Sequence, residues 1–180
     1  MHLFRQKHRY GSHHPAGISI DLITTGLLQE FSSEFQIEKL KEDQRFEHFV
    51  AYITVRQHFS EIFEPSDIVV SGGGDLGIDA IAIIVNGFLI TDIEAFEDLM
   101  SNNPDYLDVT FLFIQAERSA GFEGSKLGTF AYGVGEFFNP NTKKDEILQA
   151  VAIMSAIYAR SAKFKRGNHV SSSMPPQDDG

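Results

Sequence analysis

The 180-residue chain has no cysteine. That excludes disulfides and thiolate metal centres and is compatible with a cytoplasmic location. It also has no run of the ~18–20 continuous apolar residues that a membrane span needs, so no membrane partner is expected. The segment from Met1 to Pro15 is basic and His-rich without an apolar stretch, so it does not read as a secretory signal. Cations are in the minority: 15 Lys and Arg stand against 25 Asp and Glu, a formal net charge of −10. Passive nucleic-acid binding draws its affinity from neutralising phosphates, and this balance argues against it. It argues less against an enzyme whose carboxylates hold a divalent cation, because the ion itself brings positive charge to a phosphate.

What is present suffices for one domain. Hydrophobic residues make up 42% of the chain, an ordinary globular share. Residues 1–17 read as a mobile arm whose histidines, His2, His8, His13 and His14, lack a metal-ligand spacing. Residues 18–166 read as a single domain, and the polar, Pro-containing 167–180 as disordered. Within the domain, Ile18 to Phe35 is expected to be helical. Gln36 to Phe63 carries the strongest helical pattern, with Phe46, Phe49, Val50 and Ile53 in one stripe and Pro65 as the stop. Asp67 to Ser71 reads as a short strand. Ile78 to Val85 and Phe88 to Thr91 read as a hairpin about Asn86-Gly87, with Val85 opposite Phe88, since both turn positions need positive φ. Ile93 to Met100 is expected to be helical. Val109 to Ala116 is apolar at both alternating sets of positions, as a central strand covered on both faces would be. Ser125 to Phe138 reads as an amphipathic helix with Leu127, Phe130, Val134 and Phe138 on one side, weakened by Gly133 and Gly135. Thr142 and Asp145 suggest a capping box opening a last helix to about Lys165, with Lys163, Lys165 and Arg166 near its end. The order predicts an α/β domain with a small mixed sheet flanked by helices.

Gly72, Gly74 and Gly77 match the spacing of a dinucleotide loop. Such a loop works only if it opens a helix onto the pyrophosphate. Here it runs into strand-forming residues and contains Asp75, which would repel phosphate, so that reading is rejected. The glycines can instead turn the chain and set Asp79 at a strand start, in one alternation set with Ile81, Ile83 and Val85. A carboxylate on an apolar face is costly unless it is paired or metal-bound. The residue alone leaves a ligand role and an Asx-type loop role equally open. Gln115 and Glu117, two apart, share a face with Phe111 and Phe113. They mark either a site at the end of a buried strand or the strand's exit to solvent.

Taken together, Gly77-Ile78-Asp79, Gln115-Ala116-Glu117 and Glu47 within Phe46-Glu47-His48-Phe49 resemble the PD-(D/E)XK nucleases. In that class an Asp stands on one strand, (E/Q)-x-K on the next, and often a Glu on the preceding helix. The wording from about 44 to 138, SGGGDLGIDAIAIIVNG, DVTFLFIQAERS and GFEGSKLGTFAYGVGEFF, is similar to the start of abortive-infection phage-resistance (AIPR) proteins. Those are usually longer, so the chain reads as a fragment (the N-terminal part of a larger protein), a short relative or a truncated form. The resemblance implies a restriction-endonuclease-like fold and metal-dependent DNA cleavage in anti-phage defence. Asp79, Gln115 and Glu117 would hold Mg²⁺ or Mn²⁺, hard ions suited to oxygen ligands, and Glu47 would complete the site. DNA and a second copy of the chain are the expected partners. Glu117 departs from the pattern, which has Lys there to orient water and meet developing charge. Three accounts stay open. Glu117 is a further metal ligand; a cation from elsewhere substitutes, Lys126 better than Arg118, which points to the opposite face of a regular strand; or the site is inactive and the domain is a scaffold, dimerisation or nucleic-acid-binding module. From the sequence alone, Glu47 fits a solvated helix position equally well.

Overall fold

The structure, a computed structural model, describes residues 18–70, 76–117 and 124–167. The His-rich arm, Gly72, Gly74, Asp75, Arg118 and the tail beyond 167 lie outside the described residues. Helix α1 (Ile18–Glu34) buries Leu28 and Phe31. The chain then turns through Gln36 at φ 55.

Helix α2 is shorter than the apolar pattern predicts. It spans Glu42–Val55 rather than reaching Phe63, and Pro65 does not stop it. Its first turn carries Glu42 and Asp43, where the macrodipole favours anions. After Val55 the Arg56 guanidinium curls the chain around itself by donating to the carbonyls of Ser60 and, at 2.9 Å, Glu61. Phe59 and Phe63 then fold back into the core without a helix, the Phe63 ring lying 4.9 Å from that of Tyr52. Pro65 begins a 3-10 turn, Pro65–Asp67. The stripe on α2 is also rotated from expectation. Ile53 is exposed, while Ala51 and Val55 are fully buried against the sheet and the rings of Phe49, edge-on, and Tyr52, tilted, pack against Phe31 of α1.

The sheet is antiparallel, not mixed, with order β2-β1-β3. Strand β1 (Ala80–Val85) is buried at every position. Strand β2 (Phe88–Leu89) is two residues long, short of the expected Thr91. The turn between them is as expected: Asn86 and Gly87 take φ of 51 and 85, and Val85 faces Phe88. Asn86 also ties the turn to the next strand, accepting from Asp108 N at 2.8 Å and donating to Tyr106 O at 3.0 Å. Among the described residues strand β3 (Val109–Ile114) is an edge strand, and its expected central place belongs to β1. Both sequences are apolar on two faces. The structure distinguishes them by burial, which is complete along β1 and only partial along most of β3. Of the strand expected at 67–71, the described residues make one bridge, Val69 to Ala80.

Two cores flank the sheet. Ala80, Ala82, Ile84 and Ile114 pack with α2, whose approach is permitted by alanines on both sides. Ile81, Ile83 and Val85 pack with three further helices. These are α3 (Ile93–Ser101), capped by Asp92 accepting from Ala95 N at 2.8 Å, α4 (Gly124–Phe137) and α5 (Leu148–Gly167). The α4 stripe differs from expectation, since Leu127 is exposed and Gly133 and Phe137 are the buried positions. Thr142 forms no capping box. Its hydroxyl donates to Glu136 at 2.8 Å, and a 3-10 turn, Asp145–Ile147, precedes α5. No helix among the described residues is long and apolar enough to cross a membrane.

Candidate functional site

After Gly77 the chain enters strand β1, not a helix, so the glycine loop is not built as a dinucleotide loop. Gly77 has φ +61, and a Cβ there would lie 3.1 Å from Phe130 N and 3.3 Å from Gln115 Nε2. Glycine is thus required both by conformation and by the close approach of α4 and the Gln115 side chain. One turn further along α4, Gly133 meets the Leu76 backbone. A Cβ there would fall 2.2 Å from the Leu76 carbonyl oxygen. The two glycine contacts fix the segment that delivers Asp79.

Asp79 sits in a β-bulge. Its N–H donates to Ile114 O at 2.8 Å, although the partner of Ile114 in the ladder is Ala80. Two successive residues therefore face one residue of β3. The Asp79 carbonyl points the other way and accepts from Val70 N at 2.9 Å, whereas both groups of a regular strand residue point to the same side. Bulges re-aim side chains and recur next to active sites. Here the effect is to remove Asp79 from the alternation set of Ile81, Ile83 and Val85, where the sequence had placed it. Its carboxylate instead comes near Glu47 of α2, on the Ala80 face, and each senses the surrounding charge. The Glu47 carboxyl is pushed up by burial, then by the Asp79 charge and by Asp43. Asp79 is pushed up by burial, pulled back by the Ala116 N–H, and pushed up by the Glu117 charge.

The Ala116 N–H reaches Asp79 Oδ2 at 2.6 Å. One oxygen of Asp79 thus caps the end of β3, a structural role like the loop role left open by the sequence. Among the described residues Oδ1 makes no hydrogen bond. Extending the ladder by one step from Ala80–Ile114 sets Gln115 beside Asp79. Glu117 follows at the end of the segment and is ion-paired with Lys126 on α4. At this degree of exposure the pair adds little stability, but it fixes where the ammonium stands.

The strand end therefore gathers Glu47, Asp79, Gln115, Glu117 and Lys126, all five residues singled out from the sequence, while Arg118 lies outside the described residues. The donors are oxygens of the kind Mg²⁺ and Mn²⁺ take. As the side chains stand, no three His, Cys, Asp or Glu among the described residues are close enough to hold an ion together. Glu117 faces Lys126, and binding would require it to exchange that partner for the metal. A separate groove lined by Asp67, Val69, Thr91, Asp92, Asp145 and Glu146 is acidic but shares no residue with this group. The sequence did not reveal the Ala116 N–H or the bulge, neither of which has a side-chain signature. Comparison with protein-family models, curated proteins and solved structures returned no match.

Proposed function

We propose that the strand end around Asp79 is the site of a metal-dependent DNA endonuclease of the PD-(D/E)XK kind. The observation that carries this reading is the bulge, which turns a half-buried carboxylate towards Glu47 beside Gln115, Glu117 and Lys126. Burying like charges together is unfavourable without a counter-ion, and the raised carboxyls of Asp79 and Glu47 register that cost. Asp79 Oδ1, Glu117 and the Gln115 side-chain oxygen would hold Mg²⁺ or Mn²⁺, with Glu47 balancing charge from α2. A bound divalent ion polarises the scissile phosphate and lowers the pKa of a coordinated water. Lys126 supplies the cation that Glu117 cannot, because its ammonium already stands at position 117. The cytoplasm, anti-phage defence and membership of a longer AIPR-like chain follow from the motif resemblance and are proposed on that basis.

A second reading, a nuclease-fold scaffold without cleavage, is favoured by the Glu117–Lys126 pair itself and by the net charge of −10. Plasmid nicking by wild type, Asp79→Ala, Glu117→Ala and Lys126→Ala separates the two. The endonuclease nicks with Mg²⁺ or Mn²⁺, stops with EDTA, and loses activity in Asp79→Ala and Glu117→Ala. Lys126→Ala lowers turnover without weakening metal binding, since an ammonium contributes no ligand oxygen and Glu117 no longer has an ion pair to give up. An inert wild type favours the scaffold, and a fully active Asp79→Ala overturns the site.

A further inference from the structure

Glu117 stands where two features draw an anion. It is ion-paired with Lys126, in the first turn of α4. That turn has no acidic residue of its own, and at a helix N-terminus the macrodipole favours an anion over a cation. An ammonium placed there needs a carboxylate or a phosphate beside it. The helix cannot follow its lysine. The Phe130 backbone, one turn on, lies against Gly77, and Gly133 meets the Leu76 backbone. Only the two side chains can part, and both have room: 41% of the Lys126 side chain and 34% of that of Glu117 are exposed. The Glu117 charge still acts on Asp79, so the carboxylate that Lys126 holds borders the proposed metal site.

We propose that Glu117 is a latch. Without substrate it fills, against Lys126, the place of a phosphodiester; an incoming phosphodiester takes over Lys126 and releases Glu117 to the metal ion. The inference rests on the endonuclease reading of the site. It adds an exchange of partners. With substrate absent, the ammonium donates to Glu117 and the ion is left with Asp79 and Gln115. With substrate present, the ammonium donates to phosphate oxygens and the freed carboxylate brings the ion a second negative charge. Every charge keeps a partner in both states. Metal and phosphodiester are therefore positively coupled, and each raises the affinity for the other by the same factor. What holds the latch shut is one exposed ion pair, so it lowers Mn²⁺ affinity by about 1.5- to 5-fold.

Calorimetric titration of Mn²⁺ into wild type, Lys126→Met, Glu117→Gln and the double variant tests the latch. Lys126→Met should bind Mn²⁺ more tightly than wild type by about 1.5- to 5-fold. In the Glu117→Gln background the same change should gain less, because no carboxylate is released. An equal gain in both backgrounds assigns the effect to plain charge repulsion and overturns the latch. In a second titration dimethyl phosphate, a phosphodiester inert to hydrolysis over the experiment, replaces sodium chloride at equal ionic strength. It should tighten Mn²⁺ binding to wild type more than to Lys126→Met. An equal effect on both, or none on wild type, overturns the proposal. Should Lys126→Met fail to fold, Lys126→Gln takes its place. The same Kd for wild type and the lysine variant overturns the latch and leaves the metal site standing, whereas no Mn²⁺ binding by either overturns the site reading itself.

Discussion

Gly133→Ala puts a single methyl group where two elements meet most closely. The added Cβ would stand 2.2 Å from the Leu76 carbonyl oxygen and 3.0 Å from both the Leu76 carbonyl carbon and Ile78 Cδ1. Two of those atoms are backbone, and Leu76 is 1% exposed, so neither partner can swing into solvent. Overpacking of this kind costs about 1–3 kcal/mol. Against it stands the helical preference for alanine over glycine, about 1 kcal/mol. An overlap exceeding an ångström on backbone belongs at the upper end of the first range, leaving a net loss of about 1–2 kcal/mol. For a domain of this size that lowers Tm by roughly 2–8 °C. Gly128→Ala and Gly135→Ala in the same helix are the controls. Their added Cβ meets nothing within 4 Å, so each should gain up to about 1 kcal/mol. Urea unfolding followed by circular dichroism measures all three. The displaced Leu76 segment leads directly to Asp79, so Gly133→Ala should also weaken any response to Mn²⁺. A Gly133→Ala protein as stable as Gly135→Ala would refute the reasoning about this contact.

Gly87→Ala, at φ +85 with open space around it, should cost about 1–2 kcal/mol through backbone conformation alone, read as a lowered urea midpoint. Asn86→Ala removes two hydrogen bonds to the Tyr106–Asp108 segment and should cost about 1–3 kcal/mol by the same assay. Asp79 in the folded chain holds its proton more tightly than its ordinary value near 3.8 implies. Its contribution to stability is therefore full below that value and lost as pH rises through the raised one. In metal-free buffer Asp79→Asn should consequently be more stable than wild type at neutral pH, the gap closing in acid; a gap that widens in acid would contradict the sign. With Mn²⁺ at roughly tenfold excess over Kd, wild type should gain about 1.4 kcal/mol, a rise in Tm of about 3–6 °C, and Asp79→Asn should not.

Local chemistry was legible in the sequence where one or two residues determine it. Asn86-Gly87 identified the hairpin and its register because few residues accept positive φ at both turn positions. The helices near 18–35 and 93–100 were also expected and are present as α1 and α3. Features that depend on what lies across the fold were not legible. The apolar run of β3 matches a central strand, yet nothing within it says that a neighbour is missing on one side. Phe59 and Phe63 keep a helical spacing beyond Val55, but the Arg56 guanidinium gathers the carbonyls of Ser60 and Glu61 around itself and the chain leaves the helix. Gly133 suggested a weakened helix, whereas it is the contact that lets α4 close on Leu76. At the site, the residue types were legible and their facing was not. Strict alternation assigned Asp79 to the Ile81 face, and a single extra residue in the ladder turned it to Glu47.

The account rests on Asp79 being an ion ligand and not only the cap of β3. Calorimetric titration of Mn²⁺ into the wild-type chain and into Asp79→Asn decides between these roles, because asparagine can still accept from the Ala116 N–H but brings no negative charge to an ion. The account predicts saturable binding by wild type and its loss in Asp79→Asn while the fold persists. Equal heats for the two proteins, or no binding by wild type at millimolar Mn²⁺, would contradict it.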